Sequence, residues 1–243
     1  MMKRTTIAAV AIALSSMTFI GAAADLKAGI FELNRGQFKT ALAEFTPLLE
    51  EGYAPAQYQV ALMHKNGWGM RKNKQKAFEL FSKAAEQNYP DAQFELALMY
   101  TEGDPVEKNS KTAFELTQKA ADKGLASAQF NLGVMYAQGT GTYRDYAKAA
   151  KSYEKAARQN YALAQFNLAL LHFEGKGVDK STKQSYIWNT IASFNGYEPA
   201  EKSRILDERK LSVKDIQDGR EQAERLYQNL LAQAELRAKS ANN

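Results

Sequence analysis

The chain has 243 residues, 45% of them hydrophobic and 24% charged, which allows a sizeable core and argues against disorder. Its net charge is +5, or +3 (30 basic against 27 acidic residues) without Lys3 and Arg4, and this is too mild to predict nucleic-acid binding. The lack of cysteine excludes disulfides, thiolate metal ligands, a cysteine nucleophile and a lipid-modified N-terminal cysteine.

The first predicted element is an N-terminal leader. A short basic start precedes an uncharged, largely apolar run over residues 5–20, and three alanines at 22–24 offer a cleavage site before Asp25. This order is typical of a signal peptide over residues 1–24. The alternative, an uncleaved anchor, is less favoured because a span needs about 20 apolar residues. We expect a periplasmic or secreted protein that is not a lipoprotein and has no membrane insertion after cleavage.

From residue 52 onward the sequence repeats with a period of 36 residues. The dipeptide Ala-Gln recurs at this interval, at residues 56–57, 92–93, 128–129 and 164–165. Small and apolar residues at helical spacing predict a helix in each half of a copy, with a glycine-marked loop between them. Glycine or asparagine ends each copy, which predicts a left-handed residue after each second helix, at positions 52, 88, 124, 160 and 196.

The period also predicts how the chain is divided. Four clear copies are expected at residues 52–87, 88–123, 124–159 and 160–195. Residues 25–51 are expected to form N-terminal capping helices or a degenerate repeat, and residues 196–243 a degenerate repeat with a C-terminal capping helix. Atypical ends are expected because stacked repeats need a polar outer face at both termini.

The copies share a longer motif with a known family. The third copy contains Ala128, Leu132, Gly133, Tyr136, Gly139, Gly141, Lys148, Ala149, Tyr153, Ala156 and Ala157, and the fourth adds Gly175, Gly177 and Val178. This pattern resembles the Sel-one-like repeat (SLR) family, a relative of the tetratricopeptide repeats. The resemblance implies an all-α, right-handed solenoid of stacked helix-turn-helix repeats whose first helices line a concave face. It also implies a non-catalytic protein-interaction module, an adaptor, scaffold or regulator of envelope processes.

The glycine pairs, such as Gly139-Thr140-Gly141, raise the question of a phosphate-binding loop. A dinucleotide loop needs a third glycine where Arg144 stands, and a strand before the motif, whereas a helix is predicted there. Pro105 replaces the second glycine in the second copy, an exchange that a turn tolerates. The loops are therefore predicted to be structural turns, and no cofactor is expected.

Other residues that could carry chemistry are better explained by packing. His64 and His172 take the place of a repeated tyrosine and lie three repeats apart, so a shared metal is not expected. Ser152 and Lys155 match S-x-x-K, but the companion S-D-N and K-T-G signatures are missing. We therefore expect no catalytic residues. A β-lactamase-like activity, implied by some cysteine-rich members of the family, is a distant third possibility.

A basic loop follows the first glycine pair. It contains Arg71, Lys72, Lys74 and Lys76. The favoured interpretation is a solvated loop, because runs of charge are common on surfaces. The alternative is a contact for an acidic partner or for an anionic envelope polymer such as peptidoglycan.

Two sets of first-helix residues are candidates for binding a protein or peptide partner. The polar positions are Gln59, Glu95, Asn131 and Asn167, and the positions one helical turn later are Met63, Met99, Met135 and Leu171. Amide groups could pair with the backbone of an extended peptide, while methionines adapt to its side chains. The alternative is a solvated polar row beside buried methionines. The sequence leaves both interpretations open.

Overall fold

The computed structural model describes residues 25–242, whose regular secondary structure is entirely helical. The predicted leader lies outside the described residues. Residues 25–34 form α1, and the following helices are α2 (Phe38–Glu50), α3 (Ala54–Asn66), α4 (Lys74–Glu86), α5 (Pro90–Glu102), α6 (Ser110–Asp122), α7 (Ala126–Gln138), α8 (Tyr146–Ala157), α9 (Ala162–Glu174), α10 (Thr182–Phe194), α11 (Glu198–Glu208) and α12 (Val213–Asn242). The chain divides after Lys108 into two compact units. The first unit contains α1–α5 and the second α6–α12.

The loops inside the repeats have a repeated local geometry. Each first helix ends at a glycine in the left-handed region, with φ between 71° and 79°. Each second helix begins after a polar residue whose side chain accepts a hydrogen bond from the backbone N–H three residues later, at 2.9–3.1 Å. These caps are Asn73, Asn109, Asp145 and Ser181. They satisfy N–H groups that a helix start leaves without partners, and they fall on the same 36-residue grid.

The ends of the copies have the predicted backbone. Gly52, Gly124 and Gly196 all have positive φ, and so do Asn88 (62°) and Asn160 (65°). The prediction of a left-handed residue after each second helix is therefore confirmed.

First helices are buried on more than one side. In the second unit, α7 packs against both α6 and α8, and α9 packs against both α8 and α10. The buried residues of α9 are therefore spread around the helix, at Ala164, Gln165, Leu168, Ala169 and Leu171. Alanines at the closest points let the helices approach each other, and longer side chains fill the space between them.

The glutamine of each Ala-Gln pair is buried. In the second unit these glutamines connect successive helices through hydrogen bonds. Gln129 Nε2 donates to the carbonyl of Ala121 at 3.2 Å, and Gln129 Oε1 accepts from Gln159 Nε2 at 2.8 Å. Gln159 Nε2 also donates to the carbonyl of Gly124 at 2.7 Å. The next copy repeats the arrangement with Gln165, Ala157 and Asn195, at 3.2 Å and 3.0 Å. These amides satisfy one another inside the core, as buried polar groups must.

In the first unit one member of this series is incomplete. Gln57 Oε1 accepts from Gln87 Nε2 at 3.0 Å, whereas Gln93 donates to the carbonyl of Ala85 at 3.3 Å and its Oε1 has no partner among the described residues. The residue thirty positions after Gln93 is Lys123, where the other copies carry glutamine or asparagine. The side-chain amide that donates to the buried glutamine in the other copies is therefore absent from the sequence at position 123.

Helices outside the four clear copies pack against the repeats. In the first unit, Gly29 of α1 lies so close to the ring of Phe45 in α2 that any side chain there would overlap with it. In the second unit, Gly219 of α12 faces Tyr186 of α10, and Ala223 and Leu230 of α12 are buried in the same core as Ile187 and Trp188.

Candidate functional site

The predicted polar row has two members in each unit. In the first unit Gln59 and Glu95 are both half-buried, and Glu95 accepts from Lys65 Nζ at 2.5 Å. In the second unit Asn131 and Asn167 are also half-buried, and Asn167 Nδ2 donates to the carbonyl of Leu163 in its own helix at 2.8 Å. Two of the four side chains therefore already have partners within the chain. The binding of a partner by this row stays a prediction.

The methionines one turn further on are part of the core, which corrects the hypothesis that they contact a partner and agrees with the alternative of buried methionines. Met63 is fully buried, and Met99 and Met135 are 3% and 7% exposed. An i+4 step keeps two residues on one side of a helix, but that side is not open to solvent when a helix packs against neighbours on two sides. For the methionines, the packing interpretation is correct.

The basic loop is partly neutralised by its own unit. Lys74 pairs with Asp104, and Lys76 pairs with Glu79 at 3.1 Å. Arg71 and Lys72 are exposed. Since surface pairs of this kind contribute little to stability, their main effect is to reduce the charge available to an anionic ligand.

The glycine pairs are turns that touch the preceding repeat. Gly141 has φ 70°, and a side chain at this position would overlap with the carbonyl of Ser110 at the start of α6. Gly177 has the same φ and faces the backbone of Tyr146 at the start of α8. Both glycines are needed because two backbones meet there, and this close approach accounts for them without a phosphate ligand.

The remaining sequence candidates also make packing contacts. His172 Nδ1 lies 3.3 Å from the carbonyl of Asp179, and burial lowers the pKa of His64. Ser152 is buried and donates its hydroxyl to the carbonyl of Lys148 at 2.9 Å, while Lys155 is exposed. Within residues 25–242, no three His, Asp or Glu side chains are grouped as a metal site requires.

The structure contains a pocket that the sequence analysis did not find. It lies between α9, α10 and α11 and has a volume of about 130 Å³. Its apolar wall consists of Phe166, Leu170, Phe173 and Leu206. Its polar lining consists of Ser185, Asn189, Ser203 and Asp207. An apolar cleft with a few convergent polar groups is the usual form of a ligand site.

The polar side of the pocket is a buried, hydrogen-bonded group of three residues. Asp207 Oδ2 accepts from Ser185 Oγ at 2.8 Å and from Asn189 Nδ2 at 2.9 Å, and all three residues are at most 2% exposed. Burial raises the pKa of Asp207, while the two hydrogen bonds and the nearby Lys210 oppose that shift. Asn189 Oδ1 is buried and has no hydrogen-bond partner among the described residues.

This polar group replaces apolar core residues of the other copies. Asp207 stands 36 residues after Leu171, Asn189 stands 36 after Tyr153, and Ser185 stands 36 after Ala149. In the third copy the ring of Tyr153 packs 5.8 Å from the ring of Phe130, and the corresponding Phe166 faces the pocket instead. The pocket exists because Asn189 and Asp207 are smaller than Tyr153 and Leu171, the residues at the corresponding positions one repeat earlier. Polar residues at positions that are apolar in neighbouring copies are the sequence signal that could have indicated this pocket.

Two exposed leucines line this pocket, and a third lies two turns away on α9. Leu170 and Leu206 line the pocket and are 42% and 53% exposed, and Leu163, two helical turns before Leu170 on α9, is 37% exposed. We call Leu163, Leu170 and Leu206 the leucine patch. Clustered apolar exposure beside a cleft is a feature of interaction surfaces.

The architecture is that of an all-α helical-repeat protein. Four matches to the Sel1 repeat, at residues 54–89, 90–125, 126–161 and 162–192, cover more than half of the sequence. The chain therefore belongs to the Sel1 repeat family, which confirms the resemblance proposed from the motif. Sel1-repeat proteins are generally protein-interaction modules and typically non-catalytic scaffolds.

Solved structures agree with this assignment. A Sel1 repeat protein from Oxalobacter formigenes matches with a TM-score of 0.68 at 27% identity, over 72% of this chain and 72% of its own. A protective antigen present in uropathogenic Escherichia coli strains, which displays an SLR fold, matches with a TM-score of 0.53 at 29% identity, over 84% of this chain and 51% of its own. These neighbours and the four matches confirm the predicted all-α solenoid of helix-turn-helix repeats.

No curated protein matches the sequence. Within residues 25–242, no helix combines the length and the apolar character needed to cross a membrane.

Proposed function

We propose that the protein is a non-catalytic interaction module that binds a protein partner through the leucine patch on α9 and α11. The observation that carries this proposal is the exposure of Leu170 and Leu206 at 42% and 53% beside a pocket with a polar floor. Apolar side chains at the mouth of a pocket can anchor a partner, because burying one of them gains about 1.5–3 kcal/mol. Family membership supports the same role.

We further propose that the interaction takes place in the bacterial periplasm, where the protein acts as an adaptor, scaffold or regulator of envelope processes. The support for this location is the leader-like composition of residues 1–24. Cell fractionation and N-terminal sequencing of the mature protein test it. The expected mature chain begins at Asp25, and an intact leader in a cytoplasmic fraction would contradict the proposal.

Binding of peptidoglycan through the basic loop is the less favoured alternative. Two of its four cations, Lys74 and Lys76, have carboxylate partners within the chain, which lowers the charge available to an anionic polymer. Sedimentation of the purified protein with peptidoglycan tests this alternative directly.

Hydrolysis of a chromogenic β-lactam would contradict the non-catalytic role.

The proposal is tested by capturing a partner from periplasmic extract with two matched variants. A Leu170→Ser, Leu206→Ser double variant removes the centre of the patch. The control Leu236→Ser changes a leucine of α12 that is 66% exposed. A protein captured by the wild type should also be captured by L236S. The double variant should lose it, because its affinity is expected to fall about tenfold or more. Equal recovery by both variants would contradict binding at the patch.

A further inference from the structure

The floor of the α9–α11 pocket has hydrogen-bond acceptors to which no described residue donates. Both hydrogen bonds received by Asp207 go to Oδ2, so its Oδ1 accepts none from the described residues. Asn189 Oδ1 is buried and also has no partner within residues 25–242. The orientation of the Asn189 amide is fixed because its Nδ2 faces the carboxylate of Asp207 at 2.9 Å. A group that completes this floor must therefore donate hydrogen bonds.

The walls require the rest of the ligand to be apolar and slender. Phe166, Leu170 and Phe173 of α9 form one side, and Leu206 of α11 contributes to the other. The pocket volume of about 130 Å³ is slightly below the roughly 150 Å³ of a cavity that accepts benzene. An unbranched stem of about four carbons with a small polar end, the dimensions of a lysine side chain, suits this space.

One wall of the pocket already has an ammonium group against it. Lys210 Nζ lies 4.1 Å from the centroid of the Phe173 ring, within the range of a cation–π interaction. Lys210 is not among the residues that line the pocket, but its charge acts on Asp207. The contact shows that the ring of Phe173 accommodates an ammonium group.

We propose that the pocket receives a lysine side chain of the protein partner, with its stem between Phe166, Leu170 and Phe173 and its ammonium donating to Asp207 and Asn189 Oδ1. The inference rests on the proposed function, because the leucine patch brings the partner to the mouth of the pocket. It names the chemistry that the partner must offer there, a primary ammonium on an unbranched aliphatic stem.

The cost of building this floor supports a role in binding. A buried carboxylate and a buried amide oxygen without a donor both destabilise a core. The other copies avoid that cost with Leu171, Tyr153 and Ala149 at the corresponding positions. Departures from local packing rules of this kind are expected at functional sites. An ammonium ligand would satisfy both acceptors at once.

The test uses the complete mature protein and two small probes that differ only at the end of the side chain. Nα-acetyl-lysine methylamide carries the ammonium, and Nα-acetyl-norleucine methylamide has a similar stem without it. Binding is followed by NMR through the side-chain amide of Asn189 and the indole of Trp188, which is nearby in α10. We expect saturable shifts with the lysine probe and at least about tenfold weaker binding of norleucine, since norleucine has no donor and leaves the acceptors of the floor unsatisfied. Equal binding of both probes, or no saturable shift, would overturn the proposal.

Variants connect the result to the floor of the pocket. Asp207→Asn keeps the shape and removes the charge, so it should weaken lysine binding about tenfold while the variant still unfolds in a cooperative thermal transition. Lys210→Ala removes a competing positive charge and should tighten binding. Unchanged lysine affinity in D207N would refute the proposal. The two proposals can fail separately. If D207N binds lysine as well as the wild type but the L170S, L206S variant loses its partner, the lysine pocket is refuted and the proposed function still stands.

Discussion

The buried glutamines allow a sharp test, because the same substitution at two equivalent positions should have different consequences. Methionine has nearly the length of glutamine but no amide, so Gln→Met removes hydrogen bonds with little change in volume. At Gln129 the change removes one bond to Ala121 and one from Gln159. The groups left behind keep other partners, since the Ala121 carbonyl also accepts from the Gly124 N–H at 3.0 Å and Gln159 still donates to Gly124.

The magnitudes follow from these contacts. Two lost bonds at a net value of about 1 kcal/mol each predict that Gln129→Met destabilises the protein by about 2 kcal/mol. Gln93→Met removes a single bond, and it also removes a buried oxygen without a partner, whose burial costs about 1–3 kcal/mol. The expected net effect of Gln93→Met is therefore about zero or a gain of up to about 2 kcal/mol.

Urea unfolding of the two variants measures the difference. Far-UV circular dichroism follows all helices. Because Trp68 lies in the first unit and Trp188 in the second, fluorescence reports on one unit when the tryptophan of the other is replaced by phenylalanine. The midpoint for Q129M should fall, with a thermal midpoint about 4–8 °C lower, while that of Q93M should stay or rise. Equal losses, or a larger loss for Q93M, would refute the assigned hydrogen bonding.

Three further predictions concern the turns and the pocket. Gly141→Ala should lower stability by about 2 kcal/mol or more, since it adds strain at φ 70° and an overlap with Ser110; an unchanged thermal midpoint would contradict this. Because burial raises the pKa of Asp207, the folded state binds its proton more tightly than the unfolded state, and stability should fall as pH rises through that pKa. Asp207→Asn should remove this loss, so a difference in unfolding free energy between wild type and variant that does not change with pH would refute it. The triple variant Ser185→Ala, Asn189→Tyr, Asp207→Leu restores the residue types of other copies and should raise the thermal midpoint by a few degrees while abolishing lysine binding; a lower midpoint would show that the pocket cannot hold that core.

The repeat period was sufficient to predict most of the local structure. A fixed interval of 36 residues marked the glycines that end each first helix and the left-handed residues that end each copy. These features depend on backbone conformation, which a few residue types determine locally, so one sequence contains enough information. The caps at Asn73, Asn109, Asp145 and Ser181 lie on the same grid and could have been predicted in the same way.

Burial was harder to predict because it depends on neighbouring helices. The i+4 relation of Gln59 to Met63 was correct as helix geometry, but it does not show how many sides of a helix are covered. A first helix between two others is buried on more than one side, and Met63 is fully enclosed although Gln59 on the same helix is only half-buried. The pocket was missed for a related reason, since its polar group combines two residues of α10 with one of α11, and none of them belongs to a known catalytic motif.

The most direct test of the proposed function is site-specific photo-crosslinking of the protein in its native compartment. Benzoylphenylalanine placed at Leu206, in the leucine patch, is compared with the same residue placed at Lys151, an exposed position on α8. Binding through the patch predicts a single dominant adduct with another protein from position 206 and none from position 151. An adduct of equal yield from both positions, or from position 151 alone, would contradict the assignment of the patch as the partner-binding surface.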